Sequence, residues 1–383
     1  MLDSLDQRGE RALTTGSTIG DASFHRRPLW FVNPDSMKRP IIAGALLALA
    51  TPLLAVPVPA AAAPRSNCAT SYSDALDKIV YPGATVGGLS DLAWDRRSHS
   101  WVSTVDNHGT DPARIWFWRD PHSPRITRDP LVLKNADGTP YDGTTSDNEG
   151  LVVLPNGDFV VSSETEPSIR VFGRDGVQKA SLPVPARFAV TPAGEATANA
   201  TLEGLTITPD GTRIIAAMEG ALSGDHDATR HRFLVYDLGR HGAWSLTGQF
   251  AYAAESGRRI PEIVAYDHDS LLVMEASFAT TTGNAISLYA VPATRRATNV
   301  GAVTDLSAVP SSALLRKSLV VDLVKCPTLG ATAKQPQTNP LMDNYEAMAV
   351  EPSRHGYTVT LLSDDNFGAT QITRVLTLSA RLP

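Results

Sequence analysis

A phrase of about 58 residues recurs along the chain and constrains its fold more than any other feature. It begins with an acidic residue, continues as an apolar strand and a Pro/Asp/Gly turn, and ends in a second apolar strand that closes on another acid. The clearest copies are residues 149–164 and 203–219. Further copies begin at Asp91, Glu262 and Glu346, the first of them degenerate. One supersecondary unit repeated at a fixed period is typical of a propeller.

The spacing of the repeats predicts the number and size of the blades. The five acidic heads are 58, 54, 59 and 84 residues apart, and the longer last interval predicts an insertion within residues 292–340. Each unit has room for two more strands, such as the aromatic and β-branched run 168–172. Four strands per unit predict an all-β propeller with five four-stranded blades, six blades being the alternative. A segment near residues 79–81 is a candidate for the strand that completes the last blade and closes the ring.

Acidic residues stand at both ends of the first hairpin of each repeat. In an antiparallel hairpin these two ends lie together, and the first strand of a propeller blade is the innermost. We therefore expect five pairs of acids around the mouth of the central channel. The expected pairs are Asp91 with Asp106, Glu149 with Glu164, Glu203 with Glu219, Glu262 with Glu275, and Glu346 with Asp364.

So many carboxylates around one opening must be neutralised. At about 4 Å and an effective dielectric constant near 20, each like-charged pair costs roughly 4 kcal/mol. The group must share protons, pair with arginines or bind cations; Arg114, Arg170 and Arg232 are candidate partners on third strands. An oxygen-rich site favours a divalent cation such as Ca²⁺ or Mg²⁺ over zinc, and we expect Ca²⁺. The alternative is a structural latch, in which each acid accepts hydrogen bonds from the backbone of a neighbouring blade.

The N-terminal region predicts export. Residues 37–63 combine a basic start, a short apolar run and a stretch of small residues, which is typical of a cleaved signal peptide. The apolar run is too short for a stable membrane span. Residues 1–36 show no pattern and are interpreted as a non-structural extension or a mis-assigned start. The expected mature protein is a single secreted domain comprising residues 64–383.

The cysteines and charges of that domain agree with an exported protein that binds small molecules. Cys68 and Cys326 are the two cysteines of the chain, and an isolated pair in an exported protein predicts one disulfide. Residues 64–383 hold 28 basic and 35 acidic residues, a formal charge of −7. Because no basic cluster occurs, we expect no nucleic-acid partner and no membrane-surface helix. We expect a monomer.

Several phrases together resemble a known family. They are D-N-E-G-L-V-V-L-P-N-G, L-E-G-L-T-I-T-P-D-G, I-P-E-I-V-A-Y, N-Y-E-A-M-A-V and L-L-S-D-D-N-F. In this order, over residues 87–378, they resemble the bacterial family called esterase-like activity of phytase. The resemblance implies a secreted or periplasmic propeller linked to ester or phosphoester hydrolysis. The resemblance implies site roles for Glu149, Glu203, Glu262, Glu346 and residues 363–366. The first repeat departs from the Glu-Gly form, because it has Ser90-Asp91 at this position.

The familiar catalytic signatures are missing from the sequence. It contains no G-x-S-x-G elbow, no H-E-x-x-H and no Walker loop; among the histidines, His108 close to Asp106 is the most site-like. The leading hypothesis is a metal-dependent hydrolase of a small ester or phosphoester. The phosphoester hypothesis requires the cation, because an acidic mouth repels a phosphate. The alternatives are a non-catalytic propeller that binds a ligand or a cell-envelope partner, and a lactonase-like hydrolase.

Overall fold

The computed structural model describes residues 67–106 and 109–383. Within these ranges the chain forms five four-stranded antiparallel sheets and one two-stranded hairpin. The innermost strand of each sheet contacts the innermost strand of the next, and the fifth contacts the first. The ring is therefore a five-bladed propeller, which confirms the preferred blade count.

The strands of blades 1 to 4 run from the innermost to the outermost in chain order. Blade 1 consists of Leu89–Asp95, Ser100–Val105, Arg114–Arg119 and Arg125–Val132. Blade 2 consists of Asn148–Val153, Phe159–Ser163, Ser168–Phe172 and Gln178–Leu182. Blade 3 consists of Leu202–Ile207, Arg213–Met218, Arg230–Leu238 and Trp244–Ala253. Blade 4 consists of Arg259–Ala265, Leu271–Ala279, Gly283–Val291 and Ser318–Asp322.

Blade 5 is completed by the N-terminal strand. From the centre outward it consists of Tyr345–Ser353, Gly356–Ser363, Val375–Ala380 and Ala69–Ser73. The expectation that residues 79–81 close the ring is wrong, because Val80–Tyr81 pairs with Ala84–Thr85 in the small separate hairpin. Cys68, directly before the closing strand, forms a disulfide with Cys326. The predicted disulfide is confirmed, and it ties the closing strand to the chain that follows blade 4.

The helices of the described residues are all short 3-10 turns. They are Ala186–Phe188, Ser223–Asp225, Thr294–Arg296, Leu306–Ala308, Ser311–Ala313 and Leu323–Lys325. Four of them lie in the predicted insertion 292–340, which also supplies the outermost strand of blade 4. Residues 67–106 and 109–383 include no helix with the length and apolar character of a membrane span. The predicted signal peptide (37–63) and the extension (1–36) lie outside the described residues, and these domain boundaries stay predictions.

Apolar side chains from adjacent blades pack together between the sheets. Ile115 and Phe117 of blade 1, for example, pack against Leu151, Phe159 and Val161 of blade 2 in one buried cluster. Alternate residues of each strand point to opposite faces, so one strand contributes to the cores on both of its sides. This packing fixes the innermost strands, and hence the side chains that surround the channel.

The glycines of the Glu-Gly phrases are required by the close approach of neighbouring innermost strands. A Cβ atom on Gly150 would lie 2.3 Å from Leu205 Cβ and 2.8 Å from the Glu203 carbonyl oxygen. A Cβ atom on Gly204 would lie 2.8 Å from the backbone nitrogen of Ile263. Such distances are too short for any side chain, so these glycines let the acidic residue before them stand at the crowded centre of the ring.

The innermost strand of every blade has an irregular register near its acidic head. The shifts lie between Ser90 and Ala93, Asn148 and Leu151, Leu202 and Leu205, Arg259 and Glu262, and Tyr345 and Ala347. A bulge of this kind turns a side chain away from its regular direction. In blades 1, 2, 3 and 5 the acid lies within the bulge, whereas in blade 4 the bulge precedes Glu262. The position of the head acid relative to the bulge therefore differs in blade 4.

Candidate functional site

One end of the channel opens into a cavity of about 350 Å³ that is lined mainly by acids. They come from blades 1, 2, 3 and 5, and are Asp106, Glu149, Glu164, Glu203, Glu219, Glu346 and Asp364. Three asparagines and one arginine complete the lining, namely Asn199, Asn344, Asn366 and Arg259. The cavity has the volume of a typical small-molecule site. The structure thus brings seven of the sequence-predicted site residues to one opening, which we call the acidic mouth.

Backbone pairing explains why the two acids of a blade meet. In three blades, the backbone N–H of the second acid donates to the carbonyl of the residue two positions before the first acid. These bonds join Glu164 to Asp147 at 2.9 Å, Glu219 to Thr201 at 2.7 Å, and Asp364 to Asn344 at 2.9 Å. The first and second acids are therefore neighbours at the same end of the hairpin, as the repeat pattern predicts.

Two groups of three carboxylates at the acidic mouth have the spacing of cation ligands. Asp106, Asp147 and Glu149 form the first triad, and Glu149, Glu164 and Glu203 form the second. In each triad, one oxygen from each residue lies within 4.8 Å of the other two. Oxygens bound to one Ca²⁺ at 2.3–2.6 Å are at most about 5 Å apart, so the spacing fits this ion.

The second triad contains one buried oxygen that has no hydrogen-bond partner among residues 67–106 and 109–383. Glu203 is 6% exposed, and its Oε2 atom has no hydrogen-bond partner. Buried polar atoms are almost always paired, because leaving one unpaired loses the hydration it had in water. A cation between the carboxylates of the triad could interact with this oxygen.

Burial and mutual repulsion change the pKa values of these carboxyls. Burial, followed by the charges of Asp106 and Glu164, raises the pKa of Glu149 well above its usual range. Burial and the hydrogen bond with Asp147 raise the pKa of Asp106 to about 10. Burial raises the pKa of Glu164 to about 8. Without a cation, the site therefore retains protons at neutral pH, and a cation must displace them to bind.

Arg259 neutralises the opposite side of the acidic mouth. Its Nη1 atom donates to Oε1 of Glu219 at 2.7 Å and lies 3.5 Å from Oε1 of Glu203. Its Nη2 atom donates to Oε1 of Glu346 at 2.9 Å and to Oδ1 of Asn344 at 2.7 Å. Among the described residues, no other lysine or arginine lines this cavity. The mouth is thus divided into a side paired with arginine and a side composed of carboxylates.

Sequence comparison identifies the family of this propeller. Residues 84–367 match the family model Phytase-like, described as esterase-like activity of phytase. The chain belongs to this family. The match spans all five acidic heads of the repeat and most of the propeller. No protein with a curated description is detectably similar in sequence.

Solved structures with distant similarity to the Phytase-like chain include three bacterial enzymes. A PQQ-bound aldose sugar dehydrogenase from Streptomyces coelicolor is 11% identical, with 77% of this chain and 80% of that chain covered and a TM-score of 0.38. A virginiamycin B lyase from Staphylococcus aureus is 11% identical, with coverage of 79% and 72% and a TM-score of 0.35. A gluconolactonase from Xanthomonas campestris is 12% identical, with coverage of 79% and 88% and a TM-score of 0.34. Likeness at this level has no bearing on the reaction.

In this Phytase-like propeller, the two predicted site residues of blade 4 do not reach the acidic mouth. Glu275 is fully buried, and its Oε1 atom accepts hydrogen bonds from the Tyr252 hydroxyl at 2.7 Å and from Lys317 Nζ at 2.5 Å. Glu262 also lies away from the cavity lining. Arg259, at the start of the irregular stretch of blade 4, lines the mouth instead. The expectation that all five pairs surround the opening is therefore wrong for both acids of blade 4 and for Asp91 of blade 1.

Asp91 and Glu262 form a separate carboxyl pair inside the channel. Their side chains share a hydrogen bond, and burial together with the charge of Asp91 raises the pKa of Glu262 well above its usual range. Asp91 also accepts hydrogen bonds from the backbone N–H groups of Leu92 and of Leu151 in blade 2. The latch hypothesis therefore describes Asp91, which joins two blades, and also Glu164, which accepts a hydrogen bond from the backbone N–H of Thr201 before blade 3. The expected partner of Asp91, Asp106, lies at the mouth instead.

The sequence analysis did not anticipate four residues of this site, namely Asp147 of the first triad and the lining residues Asn199, Arg259 and Asn344. Asp147 stands two positions before Glu149, and Asn344 stands at the same distance before Glu346. A polar residue at this offset was a signal available in the sequence. Arg259 has no counterpart in the other repeats, so the pattern alone gave no sign of its role.

The arginines that were predicted as partners of the acids lie elsewhere. Arg232 forms a fully buried ion pair with Asp225, with an Nη2–Oδ1 distance of 2.6 Å. Arg170 donates to the Ser146 hydroxyl, and Arg114 donates to the Pro112 carbonyl. None of these three arginines lines the acidic mouth. His108, the most site-like histidine of the sequence, lies outside the described residues.

Proposed function

We propose that this Phytase-like propeller is an exported hydrolase that cleaves an ester or phosphoester bond of a small molecule at the acidic mouth, with Ca²⁺ bound by its carboxylates. The observation that supports this most is the pair of overlapping triads at the end of a cavity of small-molecule size. A cavity with converging ionisable groups whose pKa values are shifted is a strong candidate for a catalytic site.

The residues of the mouth divide into two roles under this proposal. Glu149, together with either Glu164 and Glu203 or Asp106 and Asp147, would hold the cation. A bound cation would polarise a phosphoryl or carbonyl oxygen and lower the pKa of a bound water. Arg259, whose side chain is 27% exposed, faces the same cavity from the other side. Its guanidinium can donate to an anionic oxygen of the substrate, since charge-assisted hydrogen bonds are strong in partly buried sites.

Electrostatics make the cation essential for a phosphorylated substrate. Within the described part of the chain, seven carboxyl groups line the cavity and one arginine faces them. A phosphate that enters such a site meets negative potential unless protons or cations neutralise the carboxylates. For a neutral ester or a lactone this repulsion is absent, so the cation requirement is weaker. The activity should therefore depend more strongly on the cation for charged phosphoesters than for neutral esters or lactones.

Export is supported by the disulfide between Cys68 and Cys326. Structural disulfides are common in secreted and periplasmic proteins and rare in the bacterial cytoplasm. The predicted signal peptide at residues 37–63 agrees with this location. We therefore place the proposed reaction outside the cytoplasm, in an environment where Ca²⁺ at millimolar levels suits weak extracellular sites.

A substrate panel tests the proposed activity. Purified protein is assayed on phosphomonoesters, on inositol hexakisphosphate, on nitrophenyl carboxylic esters and on lactones, each with Ca²⁺ and with a chelator. We expect hydrolysis of an ester or phosphoester that the chelator abolishes and Ca²⁺ restores. Glu149→Gln should lower the rate by about 100-fold or more, since even indirect supports of a metal ligand are worth 10–100-fold.

Glu166→Gln is the matched control for Glu149→Gln. Glu166 follows the same hairpin, but its side chain is 84% exposed and does not line the cavity. The hydrolysis rate of the Glu166→Gln variant should equal that of the wild type. Turnover of lactones alone favours the lactonase-like alternative, and no turnover of any substrate in the presence of Ca²⁺ contradicts the hydrolase proposal.

A further inference from the structure

The channel has a second end, opposite to the acidic mouth, and its walls there are apolar. The innermost strands of blades 2 to 5 begin at the acidic mouth, so their later residues and the turns that follow lie at the other end. Alternate residues of a strand face the same way. In blades 2, 3 and 5, the residues two and four positions after the head acid line this part of the channel, namely Leu151 with Val153, Leu205 with Ile207, and Met348 with Val350. The channel therefore changes from acidic to apolar along its length.

A cavity of about 500 Å³ lies at this end, between the turns that follow the first strands of blades 1, 2 and 3. We call it the basal cavity. Val153, Ile207 and Val350 line it together with a smaller inner cavity of about 200 Å³ that extends to Asp91. All three apolar side chains are only half-buried. Apolar walls that remain open to solvent inside a cavity of small-molecule size favour a ligand with an apolar body.

Trp94 lines the basal cavity with an indole ring that is held in place from behind. Its side chain is 41% exposed. It packs edge-to-face against Trp101, with ring centroids 5.3 Å apart, and Trp101 in turn stacks on Trp118 at 6.2 Å. A supported and exposed indole beside an apolar cavity is suited to stacking on the flat ring of an aromatic ligand.

The two acids that line the basal cavity are already neutralised by other residues. Oδ2 of Asp95 lies 2.7 Å from Nη2 of Arg174. Oδ2 of Asp210 lies 3.2 Å from Nδ1 of His268 and 3.3 Å from Nη2 of Arg295. Neither carboxylate therefore depends on Arg96 or Arg97 for its partner.

Arg96 and Arg97 line the same cavity and, within residues 67–106 and 109–383, form no ion pair. Arg97 packs on Gly157, where a Cβ atom would lie only 2.5 Å from Arg97 Nε. Glu351 lines the inner cavity and, in the same ranges, pairs with neither arginine. Two guanidinium groups without acidic partners make the cavity attractive to anions, and the planar guanidinium matches the geometry of a carboxylate.

We propose that the basal cavity is a second ligand site, which binds an aromatic carboxylate. The ring stacks on Trp94 and lies against the apolar walls, and the carboxylate pairs with Arg96 and Arg97. The two arginines repel a metal ion or an organic amine, so the chemistry of this site is opposite to that of the acidic mouth. The proposal does not depend on hydrolysis or on a cation at the mouth.

Binding of 2-naphthoate tests this proposal on the wild-type protein without any substitution. Calorimetric titrations compare 2-naphthoate with 2-naphthamide, which has the same ring but no charge, and with 2-naphthylmethylamine, which is a cation. We expect one equivalent of 2-naphthoate to bind at least about 10-fold more tightly than the amide, because charged hydrogen bonds contribute more than neutral ones. The Kd should be the same with Ca²⁺ and with a chelator. Absence of saturable 2-naphthoate binding, or equal affinity for the amide or the amine, overturns the proposal.

Variants place the bound carboxylate in the basal cavity. The double variant Arg96→Gln/Arg97→Gln should weaken 2-naphthoate by about 10-fold or more and leave 2-naphthamide unchanged, whereas Trp94→Leu should weaken both by about 10-fold. Arg354→Gln is the matched control, because Arg354 is exposed in the corresponding turn of blade 5 and does not line the cavity. Its Kd should equal that of the wild type. Wild-type affinity in the double variant or in Trp94→Leu, or an equal loss in Arg354→Gln, overturns the proposal.

Discussion

Replacing Cys68 and Cys326 with serine is expected to lower the free energy of unfolding by about 4–5 kcal/mol. The disulfide joins residues 258 positions apart, so its removal restores much conformational entropy to the unfolded chain. It also releases the closing strand Ala69–Ser73, which is the outermost strand of blade 5. Urea denaturation of the double variant beside the wild type measures the loss.

Reduced wild-type protein is the comparison for this variant, and the two should unfold at the same midpoint concentration of urea. Hydrogen exchange provides a local readout, because the amides of Ala69–Ser73 should lose protection before those of the inner strands. A loss of stability below about 1 kcal/mol would contradict a closing role for the disulfide. Slower exchange in the closing strand than in blade 2 would contradict it as well.

Arg259→Met is expected to lower the free energy of unfolding of the metal-free protein by about 2–4 kcal/mol. The substitution keeps much of the side-chain volume but leaves Glu219 and Glu346 without their arginine. Removing one partner of a buried ion pair typically costs about 3–5 kcal/mol, and the partial exposure of Arg259 reduces this value. Arg354→Met, at an exposed position, is the matched control and should change stability by less than about 0.5 kcal/mol.

The effect of Arg259→Met should depend on pH in a defined direction. Burial raises the pKa of Glu219, and Arg259 lowers it again, so the substitution raises that pKa further. A carboxyl with a raised pKa in the folded state contributes stability at low pH and loses it as pH rises. The variant should therefore be closest to the wild type near pH 5 and furthest from it near pH 8. A difference that grows toward low pH would contradict this assignment of partners.

The propeller and most of its acidic mouth are predictable from the sequence because both follow from the repeat. A hairpin with acids at its two ends brings those acids together in any blade, and Glu149 with Glu164 shows this directly. The ring places such hairpins around one channel. Seven of the predicted site residues therefore meet at one opening, although no local feature of the sequence indicates the opening itself.

The repeat pattern does not predict the pairing register of the innermost strands. In blade 4 Arg259 lines the mouth, and Glu262 lies beside Asp91 inside the channel. A shift of one residue reverses the direction of a strand side chain, and single-sequence patterns do not resolve it. The sequence pattern also did not indicate the closing strand Ala69–Ser73. Residues 69–73 are mostly polar, and only pairing with Val375–Ala380 identifies them as a strand.

Thermal unfolding with and without calcium tests most directly whether the acidic mouth is a cation site. A cation that binds only the folded protein stabilises it by about 2.7 kcal/mol at a hundredfold excess over its Kd. For a chain of this size, that corresponds to a Tm increase of roughly 4 °C or more. Because the raised pKa values of Glu164 and Asp106 keep protons in the site at low pH, the increase should be larger at pH 8 than at pH 5.

We predict that a chelator lowers the Tm of the wild type, that Ca²⁺ restores it, and that Glu149→Gln responds to neither while Glu166→Gln responds as the wild type does. A wild-type Tm at pH 8 that changes with neither chelator nor Ca²⁺ would contradict the cation site, and with it the proposed hydrolytic mechanism.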